Sequence, residues 1–322
     1  MLLSEVDSML FYNTVKGLYR NFIFSRCDDK GLAYYFSAKD FDGLRSEAYS
    51  FKGNNGQQLY GNFYFYDNSR EDRIIVFDHG MGGGHLSYMS EIEMLARHGF
   101  KVFAYDHTGC MKSEGESTVG FAQSLSDLDC CLKALKSEDD LKNKSFAVIG
   151  HSWGGFSTLN ISAFHPDLTH IVVLSGFVSV DIIASRFGSL KNYVRAIEKE
   201  ANPSYADCNG VDSLKNTKAK ALLIYSDNDK MVNKENNYDY LAASLKSREN
   251  TEFILEKGKD HNPNYTQDAV KYLAEYISAV NKQRKKLKTE QQKKIFRDSF
   301  DWKRMTAQDE KVWSEILEHL DN

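Results

Sequence analysis

From Phe51 onward the chain alternates short apolar runs of strand length with amphipathic segments of helical spacing, and few folds accommodate that alternation. The strand-like runs fall at 58–66, 73–78, 101–105, 145–149, 170–174, 219–225 and 252–256, and 89–98, 121–136 and 154–164 between them are spaced as helices. Strands apolar on both faces and separated by helices belong to a mostly parallel sheet covered on both sides. The expected class is therefore α/β, with a central sheet and helices on each face.

One gap is too long for a simple crossover. Residues 176–218 hold helical stretches such as 192–199, broken near Pro203 and Gly210, and are expected to form a short helical lid insertion. The expected organisation is an N-terminal arm (1–50) packing on the core, a central domain (51–280) whose last core helix spans 266–280, and a C-terminal extension (281–322). In the arm, 9–24 is rich in aromatic and aliphatic residues. The extension begins with seven Lys or Arg against one Glu over 282–294, which reads as a solvated helix face. It then places Val312, Trp313, Ile316, Leu317 and Leu320 at helical spacing, a stripe able to pack on the body or to join a second copy in a homo-oligomer.

Composition narrows the class further. At 322 residues, with 42% hydrophobic and 27% charged residues, the chain is an ordinary globular protein able to bury a sizeable core. A net charge of -4 offers no basic excess for nucleic acid. Five scattered cysteines (Cys27, Cys110, Cys130, Cys131 and Cys208) include no C-x-x-C pair, which speaks against zinc and fits a reducing, cytoplasmic compartment. The first residues carry acids where an export signal would carry positive charge, and the longest apolar stretch, 171–184, is too short to cross a bilayer and is interrupted by Ser175 and Asp181, so no transmembrane segment is expected.

The chemistry centres on Ser145-Phe-Ala-Val-Ile-Gly-His-Ser152-Trp-Gly-Gly155, where an apolar strand stops at a Gly-x-Ser-x-Gly turn and a helix-compatible stretch follows. A serine on so tight a turn needs small neighbours, and Gly150 and Gly154 provide them. Its hydroxyl becomes a nucleophile only if a histidine takes the proton and a carboxylate fixes that histidine's tautomer. With acid and base following the serine in chain order, His261, just past the last strand, is favoured over His165, His170 and His319. Asp229, beyond the turn after 219–225, is favoured over Asp227, which is better placed to shape the turn, and over Asp260, a solvated loop acid. Upstream, Asp78-His79-Gly-Met81-Gly-Gly-Gly-His85 ends a strand in a glycine-rich loop whose backbone can face an oxyanion; the expected donors are the amides of Met81 and Trp153. The loop lacks the Gly-Lys-Ser/Thr ending of a phosphate-binding loop. His79 and His85 are expected to shape the loop, with His85 or Tyr88 also candidates to line the mouth of the site. Asp106 and Ser113 are expected to stabilise neighbouring loops, and Cys110 is not assigned a reactive role.

On His79-Gly-Met81-Gly, Asp106-His-Thr-Gly with Ser113-Glu-Gly, Gly150-His-Ser152-Trp-Gly-Gly, Asp229 with Val232, and His261, the chain resembles the α/β-hydrolase superfamily over about 51–280. Within it the chain looks most like the branch of monoacylglycerol lipases, bacterial carboxylesterases and serine aminopeptidases. The resemblance implies the α/β-hydrolase fold, a Ser152–His261–Asp229 triad, an oxyanion hole at Met81 and Trp153, no cofactor and no metal, and a small-molecule acyl substrate. The leading expectation is hydrolysis of a small or medium acyl ester or thioester. The alternatives are an aminopeptidase-like amidase, which would need an anionic anchor for the substrate amine, and a non-catalytic binding protein.

Overall fold

The computed structural model describes residues 5–70 and 72–322. Helix α1 (Glu5–Leu18) leads through an irregular segment to strands β1 (Arg45–Lys52), β2 (Gln58–Phe65) and β3 (Arg73–Asp78). Helix α2 (Met89–Arg97), β4 (Lys101–Tyr105), α3 (Gln123–Ser137), β5 (Ser145–His151), α4 (Trp153–Asn160) and β6 (His170–Leu174) follow in strict alternation. Between β6 and β7 (Lys220–Ser226) lie α5 (Val180–Ala184), α6 (Lys191–Ala201) and α7 (Gly210–Lys215). The chain finishes with α8 (Tyr240–Ser244), β8 (Thr251–Glu256), α9 (Gln267–Gln283), α10 (Glu290–Asp298), α11 (Trp302–Met305) and α12 (Glu310–Asp321).

The eight strands form one sheet in the order β1-β2-β4-β3-β5-β6-β7-β8. The pairs β1–β2 and β2–β4 are antiparallel and the others parallel. Successive residues of the central strands point to opposite faces, so each strand feeds two cores. Ile74, Val76, Val148 and Val173 meet Leu128 and Leu132 of α3 and Phe156 of α4 on one side. Ile75, Phe77, Ile149 and Val172 meet Ile92 of α2 and Trp313 and Ile316 of α12 on the other.

Three features differ from the sequence expectations. Strand β1 extends the sheet to Arg45, inside the stretch assigned to the arm; as an edge strand with mostly exposed residues it lacks the apolar alternation that marks a strand. The N-terminal helix and the turn after it rest on the insertion, where Val15 and Tyr19 share a cluster with Ala184, Val194 and Ile197, while Phe36 and Leu44 later in the arm pack on the sheet with Tyr64 and Ile75, as expected of an arm on the core. Helix α9 is not the last core helix. It buries only Ala269 and Val270 and packs with Tyr265, Leu273 and Ala307 in a small separate cluster, while α12 crosses β6 and β7 and covers the sheet. The stripe Val312, Trp313, Ile316 and Leu320 is thereby buried within its own chain, so the expected route to a homo-oligomer, through this face of the C-terminal helix, is closed. The basic run at 282–294 spans the end of α9, a turn and the start of α10, with Lys293 and Lys294 paired to Glu290 and Asp298. Among the described residues, no helix is long and apolar enough to cross a membrane.

Candidate active site

Strand β5 ends where its neighbour β3 ends, with Gly150 opposite Asp78. The chain then turns sharply: Ser152 has φ 56 and ψ -108, a backbone conformation that side-chain-bearing residues seldom adopt. A Cβ on Gly154 would come within 2.0 Å of the Asp78 carbonyl oxygen, and one on Gly150 within 2.3 Å of the Gly154 carbonyl. Glycine at both positions lets α4 begin directly against the end of β3, which brings the His79–Met81 loop beside Ser152. Trp153 is the first residue of α4, where a backbone N–H has no acceptor within the helix.

His261 Nε2 lies 2.7 Å from Ser152 Oγ, and His261 Nδ1 lies 2.7 Å from Asp229 Oδ2. The other Asp229 oxygen accepts hydrogen bonds from the amides of Met231 (2.7 Å) and Val232 (2.9 Å), so the carboxylate is gripped from both sides. Burial opposes its charge, but His261 and these amides outweigh burial and hold the carboxyl below its usual range. Asp227 does different work: its carboxylate accepts the Gly258 amide at 2.9 Å, fastening the β7 turn to the loop after β8. Asp260 lies next to His261 with φ 49, and its amide donates to Asn228 Oδ1 at 2.9 Å.

His151, the residue between Gly150 and Ser152, has a role that its sequence context did not reveal. Its Nε2 is 2.8 Å from the His261 carbonyl oxygen and its Nδ1 is 2.9 Å from the Tyr88 hydroxyl. A carbonyl can only accept, so Nε2 carries the proton and Nδ1 accepts from Tyr88. Tyr88 in turn accepts the Gly80 amide at 3.1 Å. The chain Gly80–Tyr88–His151–His261 thus ties the glycine-rich loop, the serine turn and the histidine loop together. Burial, reinforced by the neighbouring His261, lowers the His151 pKa to about 3 and keeps it neutral.

His85 does not reach the mouth of the site. It is buried, with Nδ1 2.7 Å from Asp106 Oδ1 and Nε2 2.9 Å from the Tyr64 hydroxyl, which leaves no ring nitrogen for a ligand. The Tyr88 hydroxyl is likewise committed to Gly80 and His151. His79 is buried, its Nδ1 2.7 Å from the Gly80 carbonyl and its Nε2 accepting the His107 amide at 3.0 Å. Ser113 donates to the Asp106 carbonyl from beneath the loop. Cys110 is buried beside Cys27, and its thiol is pushed far up by that neighbour and by burial.

Residues 69–203 match the model of the serine aminopeptidase S33 family, a segment that includes Ser152 but neither Asp229 nor His261. A putative carbamate hydrolase, RutD of Serratia proteamaculans, is 31% identical over 109 residues, 33% of this chain and 39% of that relative's length. Among solved structures, a Pyrococcus furiosus esterase superposes with a TM-score of 0.58 at 20% identity, over 82% of this chain and 98% of its own. The chain has the α/β-hydrolase fold. An α/β hydrolase from a Penicillium species gives a TM-score of 0.53 at 17% identity, over 75% of this chain and 97% of its own.

Within this fold the insertion is pinned near the serine turn. Glu198 of α6 is buried, and its carboxylate accepts the amides of Phe121 (2.6 Å) and Ala122 (2.9 Å) and the Tyr19 hydroxyl. The Phe121 carbonyl in turn accepts the Trp153 indole N–H at 2.7 Å. One carboxylate therefore joins the N-terminal helix, the insertion and the loop before α3, directly over the residue that follows Ser152. Below the turn, His107 is buried with its nitrogens 2.9 Å from Asp78 Oδ1 and 3.3 Å from Asp127 Oδ2. Burial opposes its charge, but the two carboxylates prevail and raise its pKa to about 9.

Proposed function

We propose that the protein is a serine hydrolase that cleaves small or medium acyl esters or thioesters through an acyl-enzyme. The observation that carries this reading is the unbroken chain of 2.7 Å contacts from Ser152 through His261 to Asp229. His261 Nε2 takes the proton as Ser152 Oγ attacks the substrate carbonyl carbon, and the amides of Met81 and Trp153 hold the resulting oxyanion. The protonated His261 passes its proton to the leaving oxygen or sulfur as that bond breaks. Water, deprotonated by the same histidine, then releases the acid and restores Ser152. Asp229 stays ionised throughout, stabilising the imidazolium.

An amidase that grips a substrate amine needs a free carboxylate facing the serine. The buried acid of the insertion, Glu198, is already engaged by two amides and a tyrosine, which favours the ester reading. Labelling with a fluorophosphonate probe tests the mechanism: wild type should label, and Ser152→Ala and His261→Ala should not. Failure of folded wild type to label would remove the proposal. A panel of acyl esters, thioesters, carbamates and aminoacyl amides then tests the substrate class, with ester or thioester turnover expected to exceed amide turnover at least tenfold.

A further inference from the structure

Residues 24–27 of the arm lie along the loop 109–118. The Thr118 amide donates to the Phe24 carbonyl at 2.8 Å, the Cys27 amide to Gly109 at 2.8 Å, and the Met111 amide to Cys27 at 2.9 Å. The Arg26 guanidinium reinforces this contact by donating to the carbonyls of Ser113 (2.9 Å) and Gly115 (2.7 Å). Cys27 and Cys110 are thereby partners in a parallel bridge, each a free thiol. Partners in such a bridge turn their side chains to the same side with Cα atoms about 4.8 Å apart, inside the ~4.4–6.8 Å that a disulfide spans.

The two thiols differ in access and in charge. Cys27 is half-buried and lines a cavity of about 550 Å³ between segment 25–35, α9 and α11, whereas Cys110 is fully buried. Hydrogen bonding from the Cys110 thiol is the largest influence on Cys27 and favours its thiolate. The Gly82 amide and Lys30 add to it, and against burial and Asp28 they lower the Cys27 pKa to about 7. The same pairing, together with burial, pushes Cys110 far up, so it keeps its proton. Of the other cysteines, Cys131 is buried, and burial raises Cys130 and Cys208 to about 11. The thiolate is the form that attacks an oxidant, so Cys27 is the reactive sulfur and Cys110 stands ready to resolve it.

We propose that Cys27 and Cys110 form a reversible disulfide, driven by a peroxide, that fastens the arm to the loop 106–118. The Cys27 thiolate attacks one peroxide oxygen and the O–O bond breaks. The departing hydroxide takes up a proton to become water, and Cys27 is left as the sulfenic acid. The Cys110 sulfur then attacks the Cys27 sulfur: the S–S bond forms, the S–O bond breaks, and the hydroxyl leaves with the Cys110 proton as a second water. Two thiols are oxidised and one peroxide is reduced. The new bond closes a long loop of chain that contains β1 to β4. It also braces the loop in which Asp106 accepts the His85 amide at 2.9 Å, and it is independent of the serine-hydrolase reading.

The experiment treats reduced wild type, Cys27→Ser and Cys110→Ser with hydrogen peroxide at neutral pH and maps the cysteines by mass spectrometry without reduction. Wild type should yield a Cys27–Cys110 peptide pair lighter by two hydrogens, and dithiothreitol should reverse it. The oxidised protein should melt about 5 °C higher than the reduced one, since closing so long a loop restricts the unfolded chain. Cys110→Ser should instead accumulate a sulfenic acid at Cys27 that dimedone traps, and Cys27→Ser should leave Cys110 reduced. In wild type Cys27 should react at least about tenfold faster than Cys208, in keeping with its larger thiolate fraction. The proposal is overturned if peroxide oxidises wild type without forming the Cys27–Cys110 pair, if Cys208 reacts as fast as Cys27, or if the oxidised protein melts no higher than the reduced one. These three readings are all made on wild type, so they decide the matter even if a variant fails to fold.

Discussion

Lys259, two residues before His261, reaches Asp309 at the start of α12 in an ion pair that buries almost all of the lysine. The same ammonium donates to the Tyr265 carbonyl, the Asp309 amide donates to Asn264 at 2.8 Å, and the Thr266 amide donates to Ala307 at 3.0 Å. The extension therefore clamps the histidine loop on both sides of His261. Asp309→Ala should leave the buried Lys259 charge with only Glu256, 4.0 Å away, as an ionic partner, lowering stability by about 2–3 kcal/mol, toward the weak end for a buried pair because Asp309 is partly solvated and Glu256 remains. Lys259→Met should cost less, since it removes the charge and keeps the volume. Urea unfolding of the two variants checks that order.

Tyr88→Phe should lower kcat about tenfold with little change in KM, less than the ~10²–10³ of losing an oxyanion donor outright. The hydroxyl holds the Gly80 amide and His151 together, and without it the loop before Met81 loses its register with the serine turn. Steady-state kinetics on one ester substrate separates the two constants.

Asp229→Asn should reduce kcat by about 10⁴, because an amide can donate to His261 Nδ1 and select the wrong tautomer. Asp227→Asn should change activity by less than tenfold, since its contact is with the Gly258 amide. Parallel assays of both variants, with thermal unfolding as a control for folding, decide which acid serves His261.

Stability should peak near pH 6.5. His107, held protonated to about pH 9, contributes stability that is complete below the unfolded value near 6.5 and is lost as pH rises from there to 9. His79 and His151 have values lowered to about 3, chiefly by burial, so below pH 6.5 the unfolded chain takes up protons that the folded chain refuses. Stability then falls toward pH 3. His107→Asn should flatten the alkaline limb of a Tm-against-pH curve and leave the acid limb in place.

The parallel strands were legible because residues such as Ile74, Ile75 and Val76 are buried on both faces of the sheet and read as continuous apolar runs. The positions of Ser152, Asp229 and His261 followed from their places at strand ends. Strand β1 escaped notice because its residues face water, and α9 was mistaken for the sheet's last helix because helical periodicity reports an apolar face without saying what covers it. His151 and Glu198 were illegible for another reason: their partners, the His261 carbonyl and the Phe121 and Ala122 amides, are backbone atoms 76 to 110 residues away. Backbone groups leave no mark on residue identity.

The positive φ of Ser152 makes the molecule work against itself. Holding a serine in that conformation costs about 1–3 kcal/mol, and glycine at the same position would be relieved of most of it. Ser152→Gly should therefore melt several degrees higher than wild type while hydrolysing nothing. Any search for hardier versions of this protein that scores survival on heating, without also scoring turnover, would drift toward inert molecules at this one codon.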